Sequence, residues 1–149
     1  MTLIVGIGSP FGDDQAGWRV AALLADHLHQ DHCNVRQAKS PIEIFDWLDR
    51  DYVRLILCDA CRGSGTAGQI SRFDWPSDSM SESKWSGTHD FSLVATLQLA
   101  ERLGRLPERV IVWSIESSDH SSLEEWSTEV AAASIELCRM ISREVQRRD

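Results

Sequence analysis

The sequence lacks an excess of positive charge and any long apolar run. Its 149 residues include 15 Lys and Arg against 23 Asp and Glu, which gives a formal net charge of −8. Nucleic acids and anionic membranes bind basic surfaces, so this balance predicts no nucleic-acid or membrane partner. No segment approaches the roughly 20 apolar residues of a membrane span. The clustered arginines Arg143, Arg147 and Arg148 are expected to form a solvated helix end, where they suit the helix dipole.

Cysteine is also scarce. The four cysteines lack the spacing of a disulfide scaffold, which predicts reduced thiols and a cytoplasmic location. The first residues enter a predicted strand without a basic segment or a small-residue cleavage site, so we expect no signal peptide. A length of 149 residues with 42% hydrophobic and 26% charged residues is typical of one globular domain, predicted to span residues 1–149.

Apolar runs alternate along the chain with segments of helical periodicity. The predicted strands are residues 3–5, 34–37, 53–58, 69–73 and 110–115, and the predicted helices are residues 15–28, 42–48, 89–103 and one that starts at Ser127 or Thr128. The fourth strand is the weakest and is expected at or near a sheet edge. This alternation predicts an α/β three-layer sandwich, with a mainly parallel twisted sheet of about five strands and helices on both faces.

A glycine-rich turn follows the first predicted strand. The segment GIGSPFGDD at residues 6–14 ends in two acids, one of which is expected to cap the next helix. A dinucleotide fingerprint would need a third Gly or Ala where Phe11 stands, and an acid at the end of the second strand, near Gln37. Both are missing, which argues against a nucleotide site.

Cys58 and Cys61 have the C-x-x-C spacing of some redox and zinc sites. If the strand continues through both residues, their side chains face opposite sides of the sheet, because strand side chains alternate. No helix is predicted directly after them, and the sequence has no second cysteine pair with zinc spacing. A buried structural role for Cys58 is therefore preferred.

Three residues are candidates for a shared metal site. Asp14 and Asp59 follow two strands that are neighbours if the strand order is the common 2-1-3, and ligands bind at such points in open α/β sheets. His89 opens the third predicted helix, after a serine-rich loop at residues 75–88 that is expected to lie beside the site. Two carboxylates and an imidazole suit Ni, Zn, Fe or Mn. The alternative is that Asp14 caps a helix, Asp59 binds loop amides and His89 merely starts a helix.

The segment at residues 6–14 resembles the N-terminal signature of the hydrogenase maturation endopeptidases, which process the large subunit of [NiFe] hydrogenases. The resemblance extends to Asp59 with Ala60, and to GTH at residues 87–89 before a predicted helix that ends at a glycine. It covers residues 3 to about 116. The sequence departs from the family pattern at Ser9, where Asn is usual, and at Gln15, where Gly is usual.

This resemblance implies that the metal-contacting and catalytic residues are Asp14, Asp59 and His89. It implies an endopeptidase that removes the C-terminal extension of a nickel-loaded [NiFe] hydrogenase large-subunit precursor by metal-assisted hydrolysis. The nickel would be delivered by the precursor, which is the expected partner. The alternative is a non-catalytic metal- or precursor-binding protein of the same fold, and the departures from the family pattern favour it.

Overall fold

The chain forms a five-stranded sheet with helices on both faces in a computed structural model, which describes residues 1–28, 32–49, 51–63, 65–80, 92–118 and 125–147. The elements are β1 (Thr2–Ile7), α1 (Ala16–His27), β2 (Cys33–Ala38), β3 (Arg54–Cys61), β4 (Ile70–Asp74), α2 (Leu93–Arg102), β5 (Arg109–Glu116) and α3 (Thr128–Gln146). Short 3-10 helices cover Gly12–Gln15 and Pro41–Asp46. None of the described helices is both long and apolar enough to cross a membrane.

The strand order is β2-β1-β3-β5-β4, and every neighbouring pair is parallel except β4 with β5. This confirms the predicted α/β class and the mainly parallel sheet, and the first three strands have the 2-1-3 order on which the site hypothesis depended. The weak fourth strand lies at the edge, as predicted, and it is the antiparallel strand. The carboxyl ends of β1 and β3 therefore lie side by side.

Two apolar clusters cover the two faces of the sheet, because successive strand side chains point to opposite sides. Leu3 and Leu55 pack on one face with Leu97 of α2. Ile4 and Ile56 pack on the other face with α1 and α3. All four of these strand side chains are fully buried. The continuous apolar runs in the sequence thus have the burial that was predicted for strands covered on both sides.

The third strand ends three residues later than predicted and includes Asp59. It continues to Cys61 because β5 runs beside it as far as Glu116 and supplies paired backbone groups. The prediction for the C-x-x-C pair is confirmed, since Cys58 belongs to the cluster under α1 and α3 while Cys61 belongs to the opposite one. All four cysteines of the chain are buried, and none of them forms a disulfide bond.

The helix predicted to open at residue 89 begins at Leu93 in the structure. Ser92 is its N-cap, and the Ser92 side chain accepts a hydrogen bond from the Ala95 amide at 3.0 Å. This cap satisfies one of the free amides of the first turn and fixes the helix start. Gly104, with φ of 67°, ends the helix as the sequence predicted.

Candidate active site

Glycines without room for a side chain press α1 against the carboxyl ends of β1 and β3. A Cβ atom on Gly17 would lie 2.1 Å from the Ile7 carbonyl oxygen and 2.8 Å from that of Cys58. A Cβ atom on Gly6 would lie 1.9 Å from the Gly17 carbonyl oxygen. Helix α1 therefore contacts the sheet backbone directly, between the two strands. The sequence pattern did not reveal this role of Gly17, because its position in a helix predicts nothing about contact with a strand.

The turn between β1 and α1 is closed by its own backbone. The Ser9 amide donates to the Asp14 carbonyl oxygen at 3.0 Å, and the Asp14 amide donates to that of Phe11 at 3.1 Å. Gly12 has a φ of 51°, a left-handed conformation that glycine adopts without strain. These contacts hold the backbone of Asp14 over the end of β1.

The prediction that one of the paired acids caps α1 is wrong, since neither side chain caps that helix. Asp13 is buried instead and turns toward α3. Its carboxylate accepts hydrogen bonds from the Ser127 amide at 2.7 Å, the Ser127 hydroxyl at 3.0 Å and the Ser118 amide at 2.8 Å. Ser127 is the N-cap of α3, where the helix dipole favours a negative charge. Asp13 thus joins the turn to the last helix.

Asp14 and Asp59 interact electrostatically at the junction of β1 and β3. Asp59 is 3% exposed, and its Oδ1 atom accepts a hydrogen bond from the Ala60 amide at 2.8 Å. Burial raises the pKa of Asp59 well above its ordinary value, the negative charge of Asp14 raises it further, and the Ala60 amide opposes both. Asp14 is half-buried. The structure therefore places two of the three predicted residues near enough for the charge of one to raise the pKa of the other.

His89 lies outside the described residues, as do residues 81–88 of the predicted loop. At the start of that loop, Met80 is buried and Trp75 is partly buried against the cluster that contains α2. Within the described part of the chain, no group of three His, Cys, Asp or Glu side chains is placed to hold a metal ion. The two carboxylates of Asp14 and Asp59 are thus the candidate ligands there.

A further buried acid, Glu116, lies at the carboxyl end of β5 and was not singled out from the sequence. Its Oε2 atom accepts a hydrogen bond from the Cys61 thiol at 3.1 Å, and its Oε1 atom accepts one from the Gly65 amide at 3.0 Å. Cys61 and Glu116 are paired in the strand register. An acid at the last position of a buried strand is the sequence signal that could have identified it.

Taken together, the geometry defines an α/β protein with paired carboxylates where its first and third strands meet. Residues 40–144 match the family model described as hydrogenase maturation protease. This match covers well over half of the chain, and the chain belongs to the hydrogenase maturation protease family. No curated protein matches the sequence.

Solved structures of proteins with related names share the fold. A hydrogenase 2 maturation peptidase from a Thaumarchaeota archaeon is similar at 24% identity with a TM-score of 0.69, over 97% of this chain and 97% of that one. The [NiFe] hydrogenase maturation protease HycI from Thermococcus kodakarensis KOD1 is similar at 18% identity with a TM-score of 0.75, over 98% and 92%. The hydrogenase maturating endopeptidase HybD from E. coli is similar at 16% identity with a TM-score of 0.73, over 97% and 91%.

Proposed function

We propose that this protein is an endopeptidase that removes the C-terminal extension from a nickel-loaded [NiFe] hydrogenase large-subunit precursor. The observation that carries the proposal is the juxtaposition of Asp14 and Asp59 at the junction of β1 and β3, in a chain of the maturation protease family. We place the reaction in the cytoplasm, in keeping with four buried cysteines that form no disulfide bond.

The paired acids suit a divalent ion that arrives with the substrate. Two carboxylates in one partly buried site repel each other, and a cation between them removes that repulsion. Carboxylate and imidazole ligands are compatible with nickel, and His89 is the third ligand in this proposal. The precursor would contribute the remaining ligands, so that a precursor without nickel would lack part of the site. Recognition of nickel and cleavage would then be coupled.

Nickel held by the precursor supplies Lewis-acid chemistry at the scissile carbonyl or at an adjacent water molecule. The protein would hold the Asp14 and Asp59 carboxylates in a fixed orientation. The Ala60 amide holds one oxygen of Asp59 at 2.8 Å, and the closed turn holds the backbone of Asp14. Asp59 lies within β3 and Asp14 lies in the short 3-10 helix of the closed turn, so neither acid is on a long loop and their separation is more narrowly fixed.

The two departures from the family pattern have structural partners that leave both acids in place. The Ser9 hydroxyl accepts a hydrogen bond from the Phe11 amide at 3.3 Å. Gln15 is buried, and its Oε1 atom accepts a hydrogen bond from Arg19 Nη2 at 3.2 Å. These contacts stabilise the turn and the start of α1, so the two departures leave the site of the proposed endopeptidase intact.

The test is to incubate the protein with nickel-loaded precursor and to determine the mass of the product. We expect Asp14→Asn and Asp59→Asn to lower the cleavage rate at least about a hundredfold, since each removes an anionic ligand. Asp26→Asn, which removes an exposed carboxylate on α1, is the matched control and should cleave like the parent. Equal cleavage by all variants would refute the ligand assignment, and binding of the precursor without cleavage by the parent would favour the non-catalytic alternative.

A further inference from the structure

Large apolar side chains lie at the carboxyl ends of β1 and β2, beside the paired acids. Phe11, in the turn after β1, is 58% exposed, and Ile42, in the 3-10 helix after β2, is 40% exposed. Trp18 of α1 is half-buried and belongs to neither of the two apolar clusters that cover the sheet. We call these three residues the apolar rim. Packing in the core does not account for their exposed surface.

Phe11 is held at a fixed place relative to Asp14. The Phe11 carbonyl oxygen accepts a hydrogen bond from the Asp14 amide at 3.1 Å, and the Phe11 amide donates to the Ser9 hydroxyl at 3.3 Å. A turn closed in this way keeps the Cα atoms of its first and fourth residues within about 7 Å of each other. The exposed ring of Phe11 is therefore attached to the same rigid turn as the carboxylate of Asp14.

Trp18 lies against the backbone where β1 and β2 end. Its indole N–H donates to the Ala38 carbonyl oxygen at 2.9 Å, and a Cβ atom on Gly8 would lie 3.5 Å from its Cδ1 atom. The Gly8 amide donates to the same carbonyl oxygen at 3.0 Å. The orientation of the indole is thus fixed by the strand ends. An aromatic surface that is already ordered binds an apolar group with little further loss of side-chain entropy.

Ile42 also stands on an ordered segment. Ser40 and Glu43 form a capping box at the start of the 3-10 helix, in which the Ser40 amide donates to Glu43 Oε2 at 2.7 Å. Ile44 of the same short helix is fully buried in the cluster that contains Leu97. The helix is therefore anchored by one isoleucine, while the other isoleucine is exposed to solvent.

On the other side of the paired acids, the chain itself covers the strand ends. The loop after β3 folds over the end of β5, where the Gly68 amide donates to the Glu116 carbonyl oxygen at 2.8 Å and the Gly65 amide donates to Glu116 Oε1 at 3.0 Å. Glu116 is 3% exposed as a result. Within the described part of the chain, the open side of the site is therefore the β2 side, where Phe11 and Ile42 are exposed.

The spacing of the strands matches the spacing of residues in an extended peptide. Neighbouring strands are about 4.8 Å apart, and an extended chain advances about 3.4 Å per residue. A peptide whose scissile bond lies between the ends of β1 and β3, and which runs toward β2, therefore reaches the apolar rim within one or two residues.

We propose that the apolar rim binds an apolar side chain of the precursor, one or two residues from the scissile bond. This inference rests on the proposed endopeptidase function and adds a specificity-determining contact to it. An apolar side chain at the rim would remove exposed surface of Phe11 and Ile42 from water, whereas a charged side chain there would lose its own hydration. The paired acids would then select for the metal, and the rim would select for the sequence beside the cleaved bond.

The first test is steady-state cleavage of nickel-loaded precursor by Phe11→Ala. We expect KM to rise about tenfold, because an apolar contact to the substrate is lost. We expect kcat to stay within about twofold of the parent, because the backbone hydrogen bond to Asp14 does not need the ring. Phe11→Leu keeps an apolar side chain and should raise KM by no more than about threefold.

Ile135→Ala is the matched control, because Ile135 is 54% exposed on α3 and lies outside the apolar rim. Its KM should equal that of the parent within about twofold. Thermal unfolding of every variant establishes that it is folded. A rise in KM for Ile135→Ala equal to that for Phe11→Ala would refute a specific role for the rim.

The second test changes the substrate. Each apolar residue within two positions of the scissile bond is replaced by aspartate in the nickel-loaded precursor. For the residue that contacts the rim, we expect KM of the parent to rise at least about tenfold and KM of Phe11→Ala to rise by no more than about threefold, since the effects of two residues in contact are not additive. Equal rises for both enzymes at every position would refute the contact.

The outcomes separate the rim from the cleavage reaction. Equal KM values for the parent and Phe11→Ala, with cleavage by both, would refute the rim and leave the endopeptidase in place. If the parent binds the precursor without cleaving it, the dissociation constants of the parent and Phe11→Ala decide. Binding about tenfold weaker in Phe11→Ala would support the rim while refuting cleavage, and equal affinities or absence of binding would refute both.

Discussion

Asp13 and Asp14 are adjacent in the chain, yet their carboxylates have different surroundings. Asp13 is buried and accepts hydrogen bonds from the backbone amides of Ser118 and Ser127. Asp14 is half-buried and interacts electrostatically with Asp59. One acid thus stabilises the packing of α3 against the turn, and the other is available to a ligand. A substitution of Asp13 should therefore affect the packing of α3, and a substitution of Asp14 should affect the ligand.

We expect Asp13→Asn to lower the free energy of unfolding by about 2 kcal/mol, since hydrogen bonds to a charged group are worth about 1.5–3 kcal/mol. The variant loses the charge at the start of α3 and places an amide donor near two backbone donors. Urea unfolding measures the change, with Asp26→Asn as the control that should stay within about 0.5 kcal/mol of the parent. A loss no greater than that of the control would contradict the assigned role.

Asp59 should make the metal-free protein less stable as the pH rises. Its pKa is raised in the folded state, so the folded protein holds the proton more tightly than the unfolded chain. The resulting stabilisation is complete below the ordinary pKa of 3.8 and is lost as the pH rises through the folded-state value.

Asp59→Asn removes this titration, because its amide oxygen can still accept from Ala60 but it carries no charge. We therefore expect the difference in thermal midpoint between the variant and the parent to shift in favour of the variant from acidic to neutral pH. Parallel melts of both proteins without metal across that pH range provide the measurement. A difference that is constant with pH would show that Asp59 has the same pKa in both states.

At the scale of elements, the contact between α1 and the sheet depends on Gly17 on the helix as well as on Gly6 in β1. Gly17→Ala should lower the free energy of unfolding by about 1–3 kcal/mol, since overpacking forces the helix away from the Ile7 carbonyl oxygen. Helix propensity alone predicts the opposite sign, a gain of about 1 kcal/mol. Unfolding in denaturant measures the change in the free energy of unfolding and shows whether it is a loss or a gain.

The control on the same helix is Ala22→Gly, at an exposed position, which should cost about 1 kcal/mol through propensity. If Gly17→Ala is more stable than the parent, α1 can move away from the strands without loss of stability. The close contact between α1 and the sheet would then not contribute to the stability of the fold.

The buried strands could be predicted from local patterns, whereas the placement of Asp14 near Asp59 also needed the 2-1-3 order, which was assumed because it is common in open α/β sheets. Apolar runs mark buried strands, and a 2-1-3 order places the ends of β1 and β3 together. The hydrogen bonds of Asp13 could not be predicted, since Ser118 and Ser127 are more than a hundred positions away in the chain. The start of α2 was misplaced because the cap at Ser92 competes with other polar residues before it.

For the whole molecule, opposite charge lies at opposite ends of the sheet. Buried and half-buried acids lie at the carboxyl ends of the strands, and Arg54, Arg109 and Arg143 line a cavity at their amino ends. Such a separation orients charged partners over distances of about the Debye length, roughly 8 Å at physiological salt.

The burial of all four cysteines has a practical consequence for chemical labelling. Thiolates are the reactive form of cysteine, and burial raises the pKa of the Cys33, Cys58 and Cys138 thiols, while Cys61 donates to Glu116. The native protein therefore offers maleimide reagents little to modify. A cysteine introduced at Phe11, which is 58% exposed in the turn before Asp14, would be the fast-reacting thiol of the molecule. A spin label or fluorophore attached there would stand at the rim of the paired acids, with no native cysteine to be removed first.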